Sequence, residues 1–185
     1  TYLFAHYARG GSVAAADLAG LADGLLPGLG AQIAAAWEAI GYGAPQAQRV
    51  AAQGIRELIG RPHAVGPYNG LLFGDAQRFL SDLAANLEIR AALADLPEAV
   101  SGGERGAIVA ALRDVLQHLV PYQERLSFVD AYGGPLYYML NEPLAKLKDP
   151  GLDTVLGQFH DWRNPAVRNG VVPRLFAAIR RYVES

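Results

Sequence analysis

The side chain best suited to chemistry is His63, which lies in the glycine- and proline-rich stretch GRPHAVGPYNG at residues 60–70. A histidine can act as a general base near neutral pH because its ordinary pKa is about 6.5. The same stretch contains side chains that could orient a polar or anionic ligand: Arg61 before the histidine, and Tyr68 and Asn69 after it. Loops held by rigid elements often carry binding groups, so His63 is a candidate catalytic residue and its three neighbours are candidate binding residues. An exposed loop histidine without a function is the ordinary alternative.

The other histidines, His6, His118 and His160, do not form a metal-binding pattern. No two histidines are four residues apart and there is no His-Glu-x-x-His motif, so the sequence predicts no metal site. His6 lies in the aromatic stretch YLFAHYA, and His118 follows Asp114 by one helical turn. An imidazole that faces an apolar pocket can bind haem iron, so haem binding through His6 or His118 is one alternative. Apart from that alternative, we expect no cofactor.

A second candidate site is the aromatic stretch DAYGGPLYYMLNEP at residues 130–143. A tyrosine combines a large apolar ring with a hydroxyl group, so a cluster of tyrosines suits both ligand pockets and protein interfaces. The same rings could instead fill the core where short helices cross. The candidate binding residues of this stretch are Tyr132, Tyr137, Tyr138, Asn141 and Glu142.

The segment SGGERG at residues 101–106 resembles the signature loop of ATP-binding cassettes, in which a Ser-Gly-Gly turn at a helix start contacts nucleotide phosphate. That loop works together with a Gly-x4-Gly-Lys-Ser/Thr phosphate loop, and neither Lys146 nor Lys148 follows a glycine here. Ser101 precedes Glu104 by three residues, which is the spacing of a helix capping box. We therefore predict that the segment caps a helix and that the chain is not an ATPase.

The bulk composition excludes several functional classes. The 185 residues carry a net charge of −2, which provides no basic field for nucleic acid. The absence of cysteine excludes disulfides and thiolate catalysis and is compatible with either the cytoplasm or the periplasm, so the compartment stays open. No run of about 18 apolar residues occurs, so we expect no membrane span. The apolar share of 51% is enough for a folded core.

Two features of the sequence concern its origin. Of the 16 basic residues only Lys146 and Lys148 are lysine, and alanine, glycine and arginine are abundant together. This bias favours a GC-rich bacterial genome, and avoidance of lysine in a protein exposed to a host's ubiquitin system is the alternative. The sequence begins at Thr1 rather than at Met, and we expect it to be a processed or partial chain.

Apolar residues recur with helical spacing almost throughout the chain, and strand-like alternation is scarce. Prolines and glycines divide this pattern into short helices. We predict that Pro45 opens one helix, that another ends near Leu96 and Pro97, and that Pro173 opens the last one. The predicted buried side of the Pro45 helix consists of Val50, Ile55 and Leu58.

These observations predict an all-α fold, an irregular compact bundle of about eight to ten short helices without a sheet. We expect one domain over residues 1–185, with a subdomain seam near 97–103 as the alternative. Because no coherent catalytic signature is present, the sequence predicts a binding domain that recognises a protein partner or a small apolar molecule. The alternative is a small helical hydrolase or lyase with His63 as its general base.

Overall fold

A computed structural model describes residues 15–68, 70, 75–122, 139–159 and 165–185. Within these ranges every regular element is a helix and no strand occurs, which confirms the predicted all-α fold. Residues 139–145 are helical, and a 3-10 turn, Val120–Tyr122, follows the helix that ends at Leu119. The α-helices are α1 (Ala15–Leu25), α2 (Gly30–Tyr42), α3 (Pro45–Arg56), α4 (Ala76–Gly102), α5 (Arg105–Leu119), α6 (Pro150–Phe159) and α7 (Pro165–Glu184).

The chain divides into two compact units, Thr1–Ala91 and Ala92–Ser185. The division falls inside α4, a few residues before the segment 97–103 where the sequence suggested an alternative seam. That residues 1–185 form a single domain stays a prediction.

The first unit is held together by one buried apolar cluster. Helix α1 packs against α2, and α2 packs against α3. The first half of α4 contributes to the same cluster, because its apolar residues recur every three or four positions and so share one face. Each large side chain that is fully buried contributes about 1.5–3 kcal/mol to folding. The largest fully buried side chains of this unit are Leu26, Ile33, Ile55, Leu80 and Leu87.

In the described part of the chain, no helix is by itself long and apolar enough to cross a membrane. Residues Asp17–Leu25 and Gly30–Tyr42 meet that criterion only when taken together, and they are bent by 118° at the break between them. The apolar faces of both segments contribute to the buried cluster of the first unit.

The buried side of α3 differs from the predicted one. Ile55 is buried as expected and Leu58 is half-buried, but Val50 is 61% exposed. Gln48 and Ala52 instead share the buried side with Ile55, at positions i, i+4 and i+7 of one helical face. A polar residue therefore occupies a position that the apolar pattern assigned to solvent.

Gln48 is buried because its side chain caps α2. Its Nε2 donates to the carbonyl oxygens of Ala39 and Gly43, each at 3.1 Å. The Gly43 carbonyl lies just beyond the last residue of α2, and the Ala39 carbonyl, in the last turn of α2, accepts from the backbone N–H of Gly43 at 3.0 Å as well as from Gln48. The Oε1 atom of Gln48 is buried and has no hydrogen-bond partner among the described residues.

An ion pair also joins α3 to α4 within the first unit. Arg56 donates through Nε and Nη2 to the two carboxylate oxygens of Glu88, both at 2.5 Å. The Glu88 side chain is largely buried, whereas Arg56 is half-exposed. Two parallel bonds between a guanidinium and a carboxylate fix the mutual orientation of their helices.

In the second unit, α7 packs against both α5 and α6. The guanidinium of Arg105 at the start of α5 lies 5.2 Å from the ring centre of Tyr182 near the end of α7, a distance suited to a cation–π contact. The fully buried large side chains of this unit include Leu112, Leu119, Leu140, Leu144 and Phe176.

Helix α4 is longer than predicted, because Pro97 does not end it. The helix continues beyond Pro97 although proline has no N–H to donate to the carbonyl of Leu93, four residues earlier. Leu96 and Val100 on the flanks of Pro97 are buried, so packing outweighs the local cost of the proline. Pro173 was likewise expected to open a helix, and it lies inside α7.

The segment SGGERG forms the turn between α4 and α5, but its capping residue is not the predicted one. Ser101 lies within α4, and Gly103 then takes a φ of 72°, which glycine adopts without a steric penalty. Glu104 is the N-cap of α5, and its carboxylate accepts from the backbone N–H groups of Gly106 at 3.0 Å and Ala107 at 2.6 Å. The predicted capping box at Ser101 is therefore wrong, because α4 continues to Gly102 and α5 begins three residues later than a cap at Ser101 would require.

We expect the cap at Glu104 to make the stability of the protein depend on pH. The bonds from Ala107 and then Gly106 hold the pKa of Glu104 below its ordinary value. Such a carboxyl stabilises the fold above its unfolded pKa of about 4.3, and this contribution is lost as the pH falls through the folded value. Replacing Glu104→Ala should lower the midpoint of urea unfolding at pH 7, and the difference from the wild type should shrink below about pH 4.

Glu98→Ala is the matched control, since Glu98 is an exposed glutamate in α4 that does not cap a helix. Its effect on the urea midpoint should be smaller at pH 7. A deficit of Glu104→Ala that stays constant over the acidic range would argue against the ionised carboxylate as the source of the stabilisation.

Candidate functional site

The loop that contains His63 is fixed at its start by one side chain of α4. The amide of Gln77 accepts from the N–H of Gly60 through Oε1 at 2.7 Å, and it donates from Nε2 to the carbonyl of Arg61 at 2.6 Å. Both bonds go to the loop backbone. The conformation of this part of the loop is therefore set independently of the Arg61 side chain, which is exposed.

The other end of the loop docks on the C-terminal end of α1. The N–H of Gly66 donates to the carbonyl of Leu25 at 2.8 Å, and the N–H of Tyr68 donates to the carbonyl of Gly24 at 3.0 Å. These carbonyls have no donor within α1, so the loop satisfies groups that a helix end leaves unpaired. The approach is close, because a Cβ atom at Gly24 would overlap the Tyr68 ring.

His63 itself forms a hydrogen bond to the protein backbone. Its Nε2 lies 2.8 Å from the carbonyl oxygen of Leu58, and its ring is half-buried. Because a carbonyl can only accept, the Nε2 atom carries the proton, and Nδ1 is the ring atom that can accept one. A general base at this position would therefore act through Nδ1.

The described contacts of the loop residues run to different groups rather than to one another. His63 bonds to Leu58, Tyr68 lies against Gly24, and Arg61 is exposed. Asn69 lies outside the described residues. The catalytic role of His63, and recognition of a partner protein through this loop, stay predictions.

The aromatic stretch is described only at its C-terminal end. Tyr132, Tyr137 and Tyr138 lie outside the described residues, so their predicted binding roles stay predictions. Asn141 is half-buried and Glu142 is exposed, and both belong to the helical segment 139–145.

A cleft of about 260 Å³ lies in the second unit between α4 and the end of this helical segment. One wall consists of apolar residues of α4, and the opposite wall combines apolar residues with one ion pair. Met139 is 37% exposed, so part of the apolar wall is open to solvent. The residues that line the cleft are Leu93, Ala94 and Pro97 from α4, and Met139, Glu142, Pro143 and Lys146 from the other side.

The ion pair of the cleft joins Glu142 to Lys146. The Nζ atom of Lys146 donates to Oε1 of Glu142 at 2.8 Å, across one helical turn. This hydrogen bond, together with the positive charge of Lys146, holds the pKa of Glu142 below its ordinary value. Glu142 is therefore ionised at neutral pH, and the two charges cancel within the cleft wall.

Pro97 interrupts the hydrogen-bond pattern of α4 beside the cleft. Because proline has no N–H, the carbonyl of Leu93 lacks the donor that an α-helix normally supplies from four residues ahead. Leu93 and Pro97 both line the cleft. One hydrogen bond of the regular helical pattern is therefore absent in the part of α4 that lines the cleft.

Lys146 directly follows the helical segment 139–145, in the turn that leads to α6. Lys148 takes a φ of 51°, a left-handed conformation that does not continue a right-handed helix. Asp149 then caps α6, accepting through Oδ1 from the N–H of Leu152 at 2.9 Å, and Pro150 occupies the first position of α6.

The remaining histidine that the structure describes is His118, whose Nε2 lies 3.2 Å from Oδ1 of Asp114 as the helical spacing predicted. His6 and His160 lie outside the described residues, and haem binding stays an alternative. Over residues 15–68, 70, 75–122, 139–159 and 165–185, no three histidine, aspartate or glutamate side chains converge as a metal site would require.

Most of the cleft was missed by the sequence interpretation. Only Glu142 was a candidate binding residue, and Met139 was noted as part of the aromatic stretch. The available signals were the i,i+4 spacing of Glu142 and Lys146 and the continuation of helical periodicity through Pro97.

Comparison of the chain with protein-family models, with curated proteins and with solved structures gives no match. The fold therefore defines the class, an all-α protein, and the cleft is the basis for assigning a function.

Proposed function

We propose that this chain is a helical binding domain whose second unit takes a small apolar molecule in the cleft. The observation that carries the proposal is the composition of the cleft: five of its seven lining residues are apolar, and the two charged ones neutralise each other. Ligand pockets typically combine mostly apolar walls with a few fixed polar groups.

The volume of the cleft limits the size of the ligand. About 260 Å³ is the space of roughly nine water molecules at about 30 Å³ each. A ligand of about eight to ten non-hydrogen atoms would fill this space. Since a ligand this small gains well under 1 kcal/mol per atom once its ordering is included, a Kd near 1 mM is expected for a simple alkyl compound.

The composition of the chain provides a specific probe of the cleft. Met139 is the single methionine of the sequence, so protein labelled with ¹³C at the methionine methyl gives one protein signal from the cleft wall. We expect 1-hexanol to shift this signal in a saturable manner. Methionine suits such a wall because its flexible side chain adapts to the bound shape.

A matched pair of variants tests whether the shift reports on the cleft. Ala94→Trp places a large ring at an exposed position of α4 that lines the cleft, and it should abolish saturable binding. Ala110→Trp makes the same change at an exposed position of α5 away from the lining residues, and it should leave the titration unchanged. A linear, non-saturating shift in the wild type, or an unchanged curve in Ala94→Trp, would rule the proposal out.

A further inference from the structure

We propose, building on the ligand site proposed above, that Met139 is an oxidation site through which a peroxide controls ligand binding in the cleft. Oxidation of its thioether to a sulfoxide places a polar group in the apolar wall and weakens the binding of an apolar ligand. The chain contains one methionine and no cysteine, so Met139 carries its only sulfur atom. Sulfur oxidation of this protein is therefore confined to the wall of the cleft.

Met139 is accessible to a small oxidant in the folded protein. The residue is 37% exposed and lines the cleft, whereas Leu140 and Leu144 in the same helical segment are fully buried. Hydrogen peroxide is little larger than water, so it reaches the residue without unfolding of the segment. An exposed methionine is oxidised more readily than one enclosed in a core.

The reaction needs no group of the protein other than the thioether. A lone pair of the sulfur atom attacks one oxygen of hydrogen peroxide, and the O–O bond breaks as the S–O bond forms. The second oxygen leaves as hydroxide and takes up the proton of the transferred oxygen, so one water is released. The sulfur atom loses two electrons and the peroxide gains them.

The sulfoxide opposes an apolar ligand in either of two orientations. If the S–O group faces the cleft, an apolar ligand covers a strong acceptor without supplying a donor, which costs free energy. If the side chain turns outward to keep the S–O group hydrated, the cleft loses the apolar contact of Met139. The affinity for 1-hexanol should therefore fall about fivefold, which corresponds to about 1 kcal/mol at 25 °C.

The methyl label of Met139 measures both steps. Protein labelled with ¹³C at the methionine methyl is treated with hydrogen peroxide, and its mass should rise by one oxygen atom while its single methyl signal is replaced by that of a sulfoxide. Oxidation should proceed at a rate comparable to that of the urea-unfolded chain, because the residue is exposed in both states. Titration of 1-hexanol into the oxidised protein should then give a Kd about fivefold higher than before.

Three controls separate a local effect on the cleft from damage elsewhere. Treatment with methionine sulfoxide reductases of both stereospecificities should restore the original mass and the original Kd. Met139→Leu removes the sulfur atom, so the Kd of this variant for 1-hexanol, read from the backbone N–H signal of Ala94, should be the same before and after peroxide treatment. Far-ultraviolet circular dichroism should show the same helical content in the oxidised and unoxidised proteins.

The outcomes distinguish the inference from the function on which it rests. If 1-hexanol gives no saturable shift before oxidation, the ligand site is wrong and the inference falls with it. If the unoxidised protein binds 1-hexanol but Met139 is oxidised only after unfolding, or if the sulfoxide form binds equally tightly, the oxidation site is overturned. It is also overturned if Met139→Leu loses affinity on peroxide treatment, if the original Kd does not return with the original mass, or if the oxidised protein loses helical content, since the loss of binding then has another cause.

Discussion

Replacing Gln48→Glu is expected to destabilise the protein by at least about 3 kcal/mol at neutral pH. Gln48 is only 7% exposed, and its side-chain amide donates to two carbonyl oxygens, those of Ala39 and Gly43. A carboxylate in its place would face two acceptors without a hydrogen atom to share. No described residue donates to the Oε1 position, so the added charge would have no partner there either.

The same substitution should reverse the usual response to acid. The introduced carboxyl is expected to have a folded pKa above its unfolded value of about 4.3, because burial and the two carbonyls oppose its ionisation. Its neutral form is therefore tolerated below the unfolded pKa, and stability is lost as the pH rises through the folded value. Relative to the wild type, the deficit should be small at pH 4 and should grow by up to about 1.4 kcal/mol per pH unit until the folded pKa is passed.

Urea denaturation of both proteins between pH 4 and pH 8 measures this difference directly. Gln48→Met is the matched control, since it keeps the length of the side chain and removes the donors without adding a charge. It should cost about 2 kcal/mol at every pH, because two carbonyls lose a hydrogen bond. A deficit of Gln48→Glu that does not change with pH would show that the side chain is hydrated and does not cap α2.

Two glycines of α1, one turn apart, are expected to respond to alanine in opposite directions. Gly20→Ala should stabilise the protein by about 0.5–1 kcal/mol, because alanine is the better helix former and nothing lies within 4 Å of the added methyl group. Gly24→Ala should instead destabilise it by about 1–3 kcal/mol, since the methyl group would overlap the Tyr68 ring. The Tyr68 backbone is held by its bond to the Gly24 carbonyl, so the ring can make room only by rotating away from α1 and losing its contact there, or by displacing the loop.

Hydrogen exchange locates the effect, because the N–H groups of Gly66 and Tyr68 bond to the end of α1. Their exchange should accelerate in Gly24→Ala and stay slow in Gly20→Ala. In a Tyr68→Ala background the penalty of Gly24→Ala should fall by about 1 kcal/mol or more, as expected for groups in direct contact. Equal stabilisation by the two alanines would mean that the loop is not docked on α1.

The fold class could be predicted from the sequence because helical periodicity runs through nearly all of the chain and strand-like alternation is scarce. The start of α3 at Pro45 was also predictable, since proline suits the first position of a helix. Pro97 and Pro173 show where local rules fail. Their helices continue because buried neighbours such as Leu96 and Leu175 contribute more than the proline costs, and that balance depends on contacts remote in sequence.

The candidate site was less predictable, for a similar reason. Residue types alone singled out His63 and the tyrosines, whereas the cleft depends on how Met139 and Pro143 lie opposite Leu93 and Pro97. Those pairs are more than 40 residues apart in the chain, and the apolar members look like ordinary core residues in the sequence. Only the ion pair of the cleft wall could be predicted locally, from the i,i+4 spacing of Glu142 and Lys146.

Because lysine is scarce in this chain, the ion pair of the cleft wall is a selective target for chemical modification. Both lysine side chains of the chain, Lys146 and Lys148, belong to one short stretch, and one of them forms the ion pair of the cleft. Acetylation directed at lysine side chains would therefore act on this stretch alone. Because acetyl-lysine is uncharged, modification of Lys146 would leave the Glu142 carboxylate without its counter-charge. The cleft wall would then change from neutral to anionic.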